Sequence, residues 1–335
     1  MPELKPVTAR AGANIALVKY WGKRDAALNL PAAGSLSLTL AELGSETTVR
    51  FTPDGAGPDG RDRVVLDGSA AEPRFAGRVQ RFLDLVRATA GIALPAEVVT
   101  TNPVPTAAGL ASSASGFAAL ALAASRAAGL AVPPTRLSEL ARRGSGSAAR
   151  SIFGGFVEMA AGNLADGSDA VAHGIADEHF WDVRLCVAVT AKGQKSIGST
   201  AAMELTARTS PYYTAWLASV PTDLSEARSA IRARDLERLG VVAERSATRM
   251  HACGLAADPH ILYWNPATVA AIATVKELRA RGVAAYFTID AGPHVKVLCT
   301  ATDAEAVAAA LVATPGVERA LTLAPGPGAY IVGES

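Results

Sequence analysis

The chain has 335 residues, half of them hydrophobic, with 32 Lys and Arg against 31 Asp and Glu for a formal charge of +1. That length is more than one core usually fills, so two domains are expected, and the even spread of basic residues offers no face for a polyanion such as nucleic acid. Cys186, Cys253 and Cys299 lie far apart without C-x-x-C spacing and no H-E-x-x-H occurs, so neither a disulfide framework nor a zinc site is suggested and a reduced, cytoplasmic protein is expected.

Met1 to Lys5 lacks the apolar core of a secretory signal. Thr47 to Phe51 and Val64 to Leu66 are β-type runs separated by a Gly/Pro/Asp-rich hairpin region, Pro53 to Asp62. Phe75 to Ala90 places Phe75, Val79, Phe82, Leu83 and Val86 at helical spacing. Glu97 to Thr101 reads as a strand, Asn102 to Gly109 as a loop, and Ser112 to Leu130 as an Ala-rich helix capped by Ser112 or Ser113. Val98 to Ser125 carries no charge and is long enough to cross a bilayer, but Pro103, Pro105, Gly109 and Gly116 interrupt it, so no membrane span is expected. A helix over Pro134 to Arg143 ends at Gly144, His173 and His179 read as surface histidines, and Val183 to Thr190 is a strand. The small, polar stretch Ala191 to Thr200 carries the expected domain boundary, giving domains 1–190 and 191–335. Beyond it, helical patterns at Ser210 to Leu217, Leu224 to Cys253 and Pro266 to Arg281 precede strands Ala284 to Ile289 and Val295 to Cys299. A helix at Asp303 to Ala313 and a last strand near Ala329 to Val332 complete an α+β pattern.

Three segments carry chemistry. Asn14 to Lys23 supplies Lys19 and Lys23, which taken alone also fit a strand end turning into solvent. Pro105 to Ser115 supplies small residues at a helix start, where free N–H groups and the helix dipole favour an anion, although no Walker A pattern occurs. Tyr286 to Pro293 puts one carboxylate, Asp290, on a tight turn, where an Asp is often only a turn former. Gly144 to Ala149 approaches a dinucleotide fingerprint, but helical residues precede it instead of a strand; Ser145, Ser147 and Arg150 better suit a carboxylate or phosphate. The conjunction of an anion loop, cations and a candidate base is what phosphoryl transfer needs.

At these residues the chain resembles the GHMP kinase superfamily and, within it, the diphosphomevalonate decarboxylases. The matching blocks are Asn14 to Asp25, Ser35 to Thr39, Pro105 to Ser113, Gly144 to Arg150, Gly154 to Glu158, Thr209 to Pro211 and Asp290 to Pro293, in the family's order. The resemblance implies a two-domain GHMP-kinase-like fold with the active site in the cleft between domains, and ATP- and Mg²⁺-dependent conversion of mevalonate 5-diphosphate to isopentenyl diphosphate, ADP, phosphate and CO₂. It implies Asp290 as the catalytic aspartate that takes or orients the proton of the C3 hydroxyl, Lys19 as a lysine at the reaction centre, Arg150 on the substrate carboxylate, Asn14 orienting that arginine, and Ser112 as a further catalytic position. Tyr20, Trp21, Lys23, Ser145, Ser147 and Ser199 match substrate-binding positions. Pro105, Ala107, Ala108, Gly109, Leu110, Ala111, Ser112 and Ser113 match the ATP phosphate loop, with Thr100 for adenine and Mg²⁺ held through the phosphates, Ser113 being its candidate protein ligand. A homodimer is implied as well.

The chain departs from the family pattern at Ala32 to Gly34, where polar residues are usual, and at Thr200, where some bacterial members carry a diphosphate-binding arginine. Lys192 or Lys195 is a candidate replacement. A mevalonate 5-phosphate decarboxylase, a mevalonate 3-kinase and a non-catalytic metabolite sensor of the same fold remain alternatives at this point, with a dinucleotide oxidoreductase as a more distant one.

Overall fold

The computed structural model describes residues 5–53, 57, 60–102, 112–190 and 197–334. From the first of these run strands β1 (Val7–Val18), β2 (Lys23–Asp25), β3 (Leu30–Pro31), β4 (Ser35–Phe51), β5 (Arg63–Leu66) and β6 (Ser69–Ala70), then α1 (Pro73–Ala90), β7 (Ala96–Thr101), α2 (Ser112–Ala127) and α3 (Pro134–Gly144). A 3-10 helix, Gly146–Ile152, leads into β8 (Phe156–Met159), β9 (Ala172–Ala176) and β10 (Val183–Val189). Four helices follow: α4 (Ser199–Thr209), α5 (Tyr213–Ala233), α6 (Leu236–Leu255) and α7 (Pro266–Ala280). Last come β11 (Ala285–Ile289), β12 (Val295–Thr300), α8 (Ala304–Val312), β13 (Arg319–Leu323) and β14 (Tyr330–Ile331).

The fold is α+β, as the alternation of patterns predicts. Among the described residues, β14-β1-β4-β7-β5-β6 form one sheet that β8 and β9 extend from β4, and β11-β12-β10-β13 form a second. In the first, β1 and β4 are long antiparallel partners whose register shifts twice, between Gly12 and Asn14 and between Ala16 and Val18. Such irregularities re-aim side chains, and both flank residues of the site described below.

One apolar cluster joins the two sheets: Ile15, Leu17, Leu36 and Leu38 meet Leu185, Val187 and Leu298, with Leu239, Val242 and Met250 of α6 between them. A second cluster packs α1 and α2 on the first sheet through Phe82, Leu83, Phe117 and Val98. The third covers the far face of the second sheet with α7 and α8 through Val275, Leu311, Cys186 and Cys299. The sulfurs of Cys186 and Cys299 stand 3.9 Å apart, and all three cysteines are free and buried.

The sequence pattern misplaces one break. It ends a helix at Leu217 and starts another at Leu224, whereas α5 runs from Tyr213 through Pro221 to Ala233. Trp216, Val220, Leu224, Ala227 and Ile231 form one buried stripe across the proline. That burial outweighs the hydrogen bond a helix-interior proline forfeits. The break falls instead at Arg234, at φ 52°, where Asp235 accepts a hydrogen bond from the Arg238 N–H and caps α6. The Ala-rich helix also stops at Ala127, short of Leu130, at a turn through Gly129 with φ 76°.

Candidate active site

β1 ends at Val18, and the next residue is turned inward, not toward solvent. Lys19 is 1% exposed; its N–H is received by Ser246 Oγ of α6 at 3.0 Å, and its ammonium donates to the Ala16 carbonyl and to Asp290 Oδ1, each at 2.7 Å. Asp290 directly follows β11 and also makes its turn, with its carbonyl receiving the Gly292 N–H at 2.7 Å. A third of its side chain stays open, and its other oxygen, Oδ2, pairs with Lys296 Nζ of β12 at 3.1 Å. One carboxylate therefore sits between two buried ammoniums.

Burial opposes ionisation of Asp290, but the charges of Lys19 and Lys296 and the hydrogen bonds from them outweigh it and hold the carboxyl well below the usual carboxylate range. For Lys19, burial dominates over the attraction of Asp290, and its pKa falls to about 8. The same helix that receives the Lys19 N–H brings His251 to the site, where burial and then the Lys19 charge lower its pKa to about 4.

Arg150, 2% exposed, lies in the 3-10 helix. Its Nε donates to Ser37 Oγ at 3.0 Å, Nη1 to Ser35 Oγ at 2.5 Å and Nη2 to Asn14 Oδ1 at 3.0 Å. Ser35 and Ser37 alternate on β4, so the pleat puts both on one face. Asn14 in turn donates to the Ser147 carbonyl at 2.9 Å and to Ser151 Oγ at 2.8 Å, tying β1 to the 3-10 helix. A guanidinium has five N–H donors; one on each terminal nitrogen lies outside these bonds and can meet a carboxylate as a pair. Burial brings the Arg150 pKa down to about 10, against the pull of Tyr20 and Asp290, so it remains a cation at neutral pH.

Tyr20 lies beneath Arg150, whose guanidinium carbon is 6.0 Å from the ring centroid, and the buried Tyr20 hydroxyl has no hydrogen-bond partner among the described residues. A Cβ on Gly146 would come within 2.2 Å of that hydroxyl, so the glycine is what lets the ring lie against the 3-10 helix. Trp21 is buried edge-on to Tyr263, and its indole N–H likewise has no partner among the described residues. Gly22, at φ +101°, has no room for a Cβ against Tyr213, and the turn delivers Lys23 to β2, where burial lowers its pKa and Glu204 and Arg78 are the charges that act on it. Ser145 immediately precedes the 3-10 helix in extended backbone without a side-chain capping bond, Ser147 lends its carbonyl to Asn14, and Ser199 opens α4.

Asn14, Lys19, Tyr20, Ser147, Arg150 and Asp290 are thus gathered in one region. Thr100 stands apart in β7, with its hydroxyl 3.1 Å from Thr47 Oγ1. Pro105, Ala107, Ala108, Gly109, Leu110, Ala111, Lys192 and Lys195 lie outside the described residues, and Ser112 is described only as the first residue of α2, with Ser113 exposed beside it. Lys296, Ser35, Ser37, Ser246 and His251 were not singled out from the sequence for roles. For Lys296 a signal existed: it is a lone charge inside the apolar strand His294-Val-Lys-Val-Leu298.

A carboxylate kept ionised beside ammonium groups, near an arginine fork anchored by neutral oxygens, suits a substrate bearing both a hydroxyl and a carboxylate. Comparison with known proteins agrees. Residues 11–172 match the diphosphomevalonate decarboxylase-like N-terminal domain and residues 185–322 the mevalonate 5-diphosphate decarboxylase C-terminal domain. The chain is 38% identical to the diphosphomevalonate decarboxylase of Schizosaccharomyces pombe, over 90% of this chain and 80% of that protein. It superposes on the crystal structure of mevalonate diphosphate decarboxylase from Staphylococcus aureus with TM-score 0.92 and 38% identity, covering 98% of each chain. On MDDEF in complex with MVAPP, AMPPCP and magnesium the TM-score is 0.90 and the identity 41%, over 97% of this chain and 98% of that one.

Proposed function

Because the chain belongs to the diphosphomevalonate decarboxylase family, we propose which of its residues carry out that family's reaction and how. The protein is an ATP-dependent enzyme of the mevalonate pathway that decarboxylates mevalonate 5-diphosphate to isopentenyl diphosphate, with release of ADP, phosphate and CO₂. The observation that carries the residue-level reading is the ionised Asp290, clamped by Lys19 and Lys296 in the same buried region as the Asn14-oriented fork of Arg150.

Asp290, fixed as a carboxylate, accepts the hydrogen bond of the substrate's C3 hydroxyl and aims its oxygen for attack. Lys19, next to it, meets the negative charge that gathers as the phosphoryl group is transferred. Arg150 holds the C1 carboxylate through its two remaining N–H groups, so that C–C cleavage and departure of the C3 oxygen occur in one fixed geometry. Tyr20, Trp21, Lys23, Ser145, Ser147 and Ser199 are proposed to seat the rest of the substrate, with Arg78 beside Lys23 as a further cation where Thr200 offers none.

Bound ATP supplies the phosphoryl group that makes the C3 oxygen a leaving group. The N-terminus of α2, whose first-turn N–H groups have no partners within the helix, suits its phosphates. Among the described residues no cluster of acidic, His or Cys side chains could cage a metal. Mg²⁺ is proposed to be held through the nucleotide phosphates, with Ser113 as its protein contact. We also propose the division into domains 1–190 and 191–335, a homodimer and a cytoplasmic location; the family resemblance supports the first two, and the free, buried cysteines the last.

The test is a product-resolved assay with mevalonate and its 5-phosphate and 5-diphosphate esters. ADP and CO₂ are expected in equal amounts, fastest with the diphosphate, and Asp290→Asn is expected to slow both by at least about 100-fold. Full turnover by Asp290→Asn would overturn the residue assignment, and preference for the monophosphate would overturn the substrate.

A further inference from the structure

Lys296 meets the proposed reaction centre at Asp290. It is 3% exposed, and its ammonium donates to the His294 carbonyl at 3.2 Å while pairing with Asp290 Oδ2 at 3.1 Å. On β12 it is paired directly with Thr288 of β11, so the two side chains share a face. Thr288 in turn donates to the Ala16 carbonyl at 3.2 Å, which is the carbonyl that receives the Lys19 ammonium. The second sheet thus reaches the end of β1 through one continuous run of polar contacts.

We propose that Lys296 is a positioning residue that fixes the plane of the Asp290 carboxylate and supplies the second positive charge at the reaction centre. The inference rests on the reading of Asp290 and Lys19 given above. A single ammonium on Oδ1 leaves the carboxylate free to turn about its Cβ–Cγ bond, a broad torsion. A second ammonium on Oδ2 removes that freedom and leaves the open third of the side chain pointing one way. Burying a lysine inside a strand is costly unless its charge is paired, and here the pairing is spent on the one carboxylate of the site.

The charge has a consequence that a purely structural contact would lack. The titratable groups facing Lys19 are Asp290, Lys296 from β12, Arg150 from the 3-10 helix and His251 from α6. Lys296 repels the proton on Lys19, so it helps to pull that ammonium into the mildly alkaline range. Removing the Lys296 charge lets Lys19 keep its proton to higher pH, and the alkaline limb of the kcat profile moves upward. His251 is neutral throughout that range and Arg150 stays charged, so neither contributes to the shift.

The experiment measures kcat, KM and their pH profiles for Lys296→Gln, Lys296→Arg and Asp290→Asn with mevalonate 5-diphosphate and ATP. For Lys296→Gln, kcat is expected to fall at least about tenfold with KM changed less than about threefold, and the alkaline limb to rise by about half a pH unit or more. Lys296→Arg, which keeps the charge, is expected to restore the position of the limb. Unchanged kcat and limb in Lys296→Gln would overturn the proposal, as would a loss of kcat with the limb in place. Should the Gln variant fail to fold, Lys296→Met, of similar volume and also uncharged, carries the same expectations. Turnover retained by Asp290→Asn would instead strike the reading of the reaction centre, so the two failures are distinguishable.

Discussion

Arg150 is held by three oxygens on two strands, those of Ser35 and Ser37 on β4 and of Asn14 on β1, which itself grips the 3-10 helix at Ser147 and Ser151. Asn14→Ala removes the acceptor that orients Nη2 and leaves the Ser147 carbonyl without its donor. CO₂ release is expected to fall about 100-fold, since a misaimed fork loses much of its value, and folding stability by about 1–3 kcal/mol; steady-state kinetics and urea titration check each. At this scale Lys19, Arg150 and Asp290 stood out in the sequence as charged groups in short motifs rich in small or turn-forming residues, whereas Asn14 was reached only through the family resemblance. Lys296 did not, because its role depends on β11 and β12 forming a hairpin that brings it back over Asp290. The serines of β4 were likewise unreadable as ligands, since their partner lies 113 and 115 positions away.

The elements differ in how openly their residues announce them. The helix over Pro73–Ala90, the strand before Asp290 and the strand after it follow from local spacing almost to the residue. α5 does not, because Pro221 is a local signal for a break while the buried stripe from Trp216 to Ile231 is a tertiary one. Position 221 is exposed and lies within the helix, so Pro221→Ala should restore a backbone hydrogen bond without disturbing the core. A gain of about 1–3 kcal/mol is expected, visible as a higher melting temperature with unchanged kcat; a lower melting temperature would show that the proline is matched to a bend the helix requires.

Across the whole molecule, two sheets share one apolar cluster, and α6 lies within it. That helix carries both the hydroxyl that receives the Lys19 N–H and the buried His251, packed between Tyr263 and Trp264. Burial lowers the His251 pKa from 6.5 to about 4, so the unfolded chain binds a proton that the folded one refuses. Stability is therefore unaffected above pH 6.5 and declines as pH falls toward 4, by up to about 3 kcal/mol from this residue. Urea unfolding at pH 7 and pH 4.5 should reveal the loss, and His251→Asn should flatten it; equal slopes in both proteins would exclude His251 as its source. None of this was legible in the sequence, where the histidine sits in an ordinary helical pattern and only the second sheet and the strand end at Lys19 give it a dry, positively charged setting.

Lys19, Lys296 and Arg150 share a single carboxylate, and the hydrogen-bond partners of Arg150 are uncharged oxygens. Among the described residues, three cations therefore face one carboxylate there, and this excess of positive charge attracts small anions before any reactant arrives. Sulfate or inorganic phosphate in a storage buffer would act there as a competitor by sign alone, quieting the catalyst while making it harder to melt.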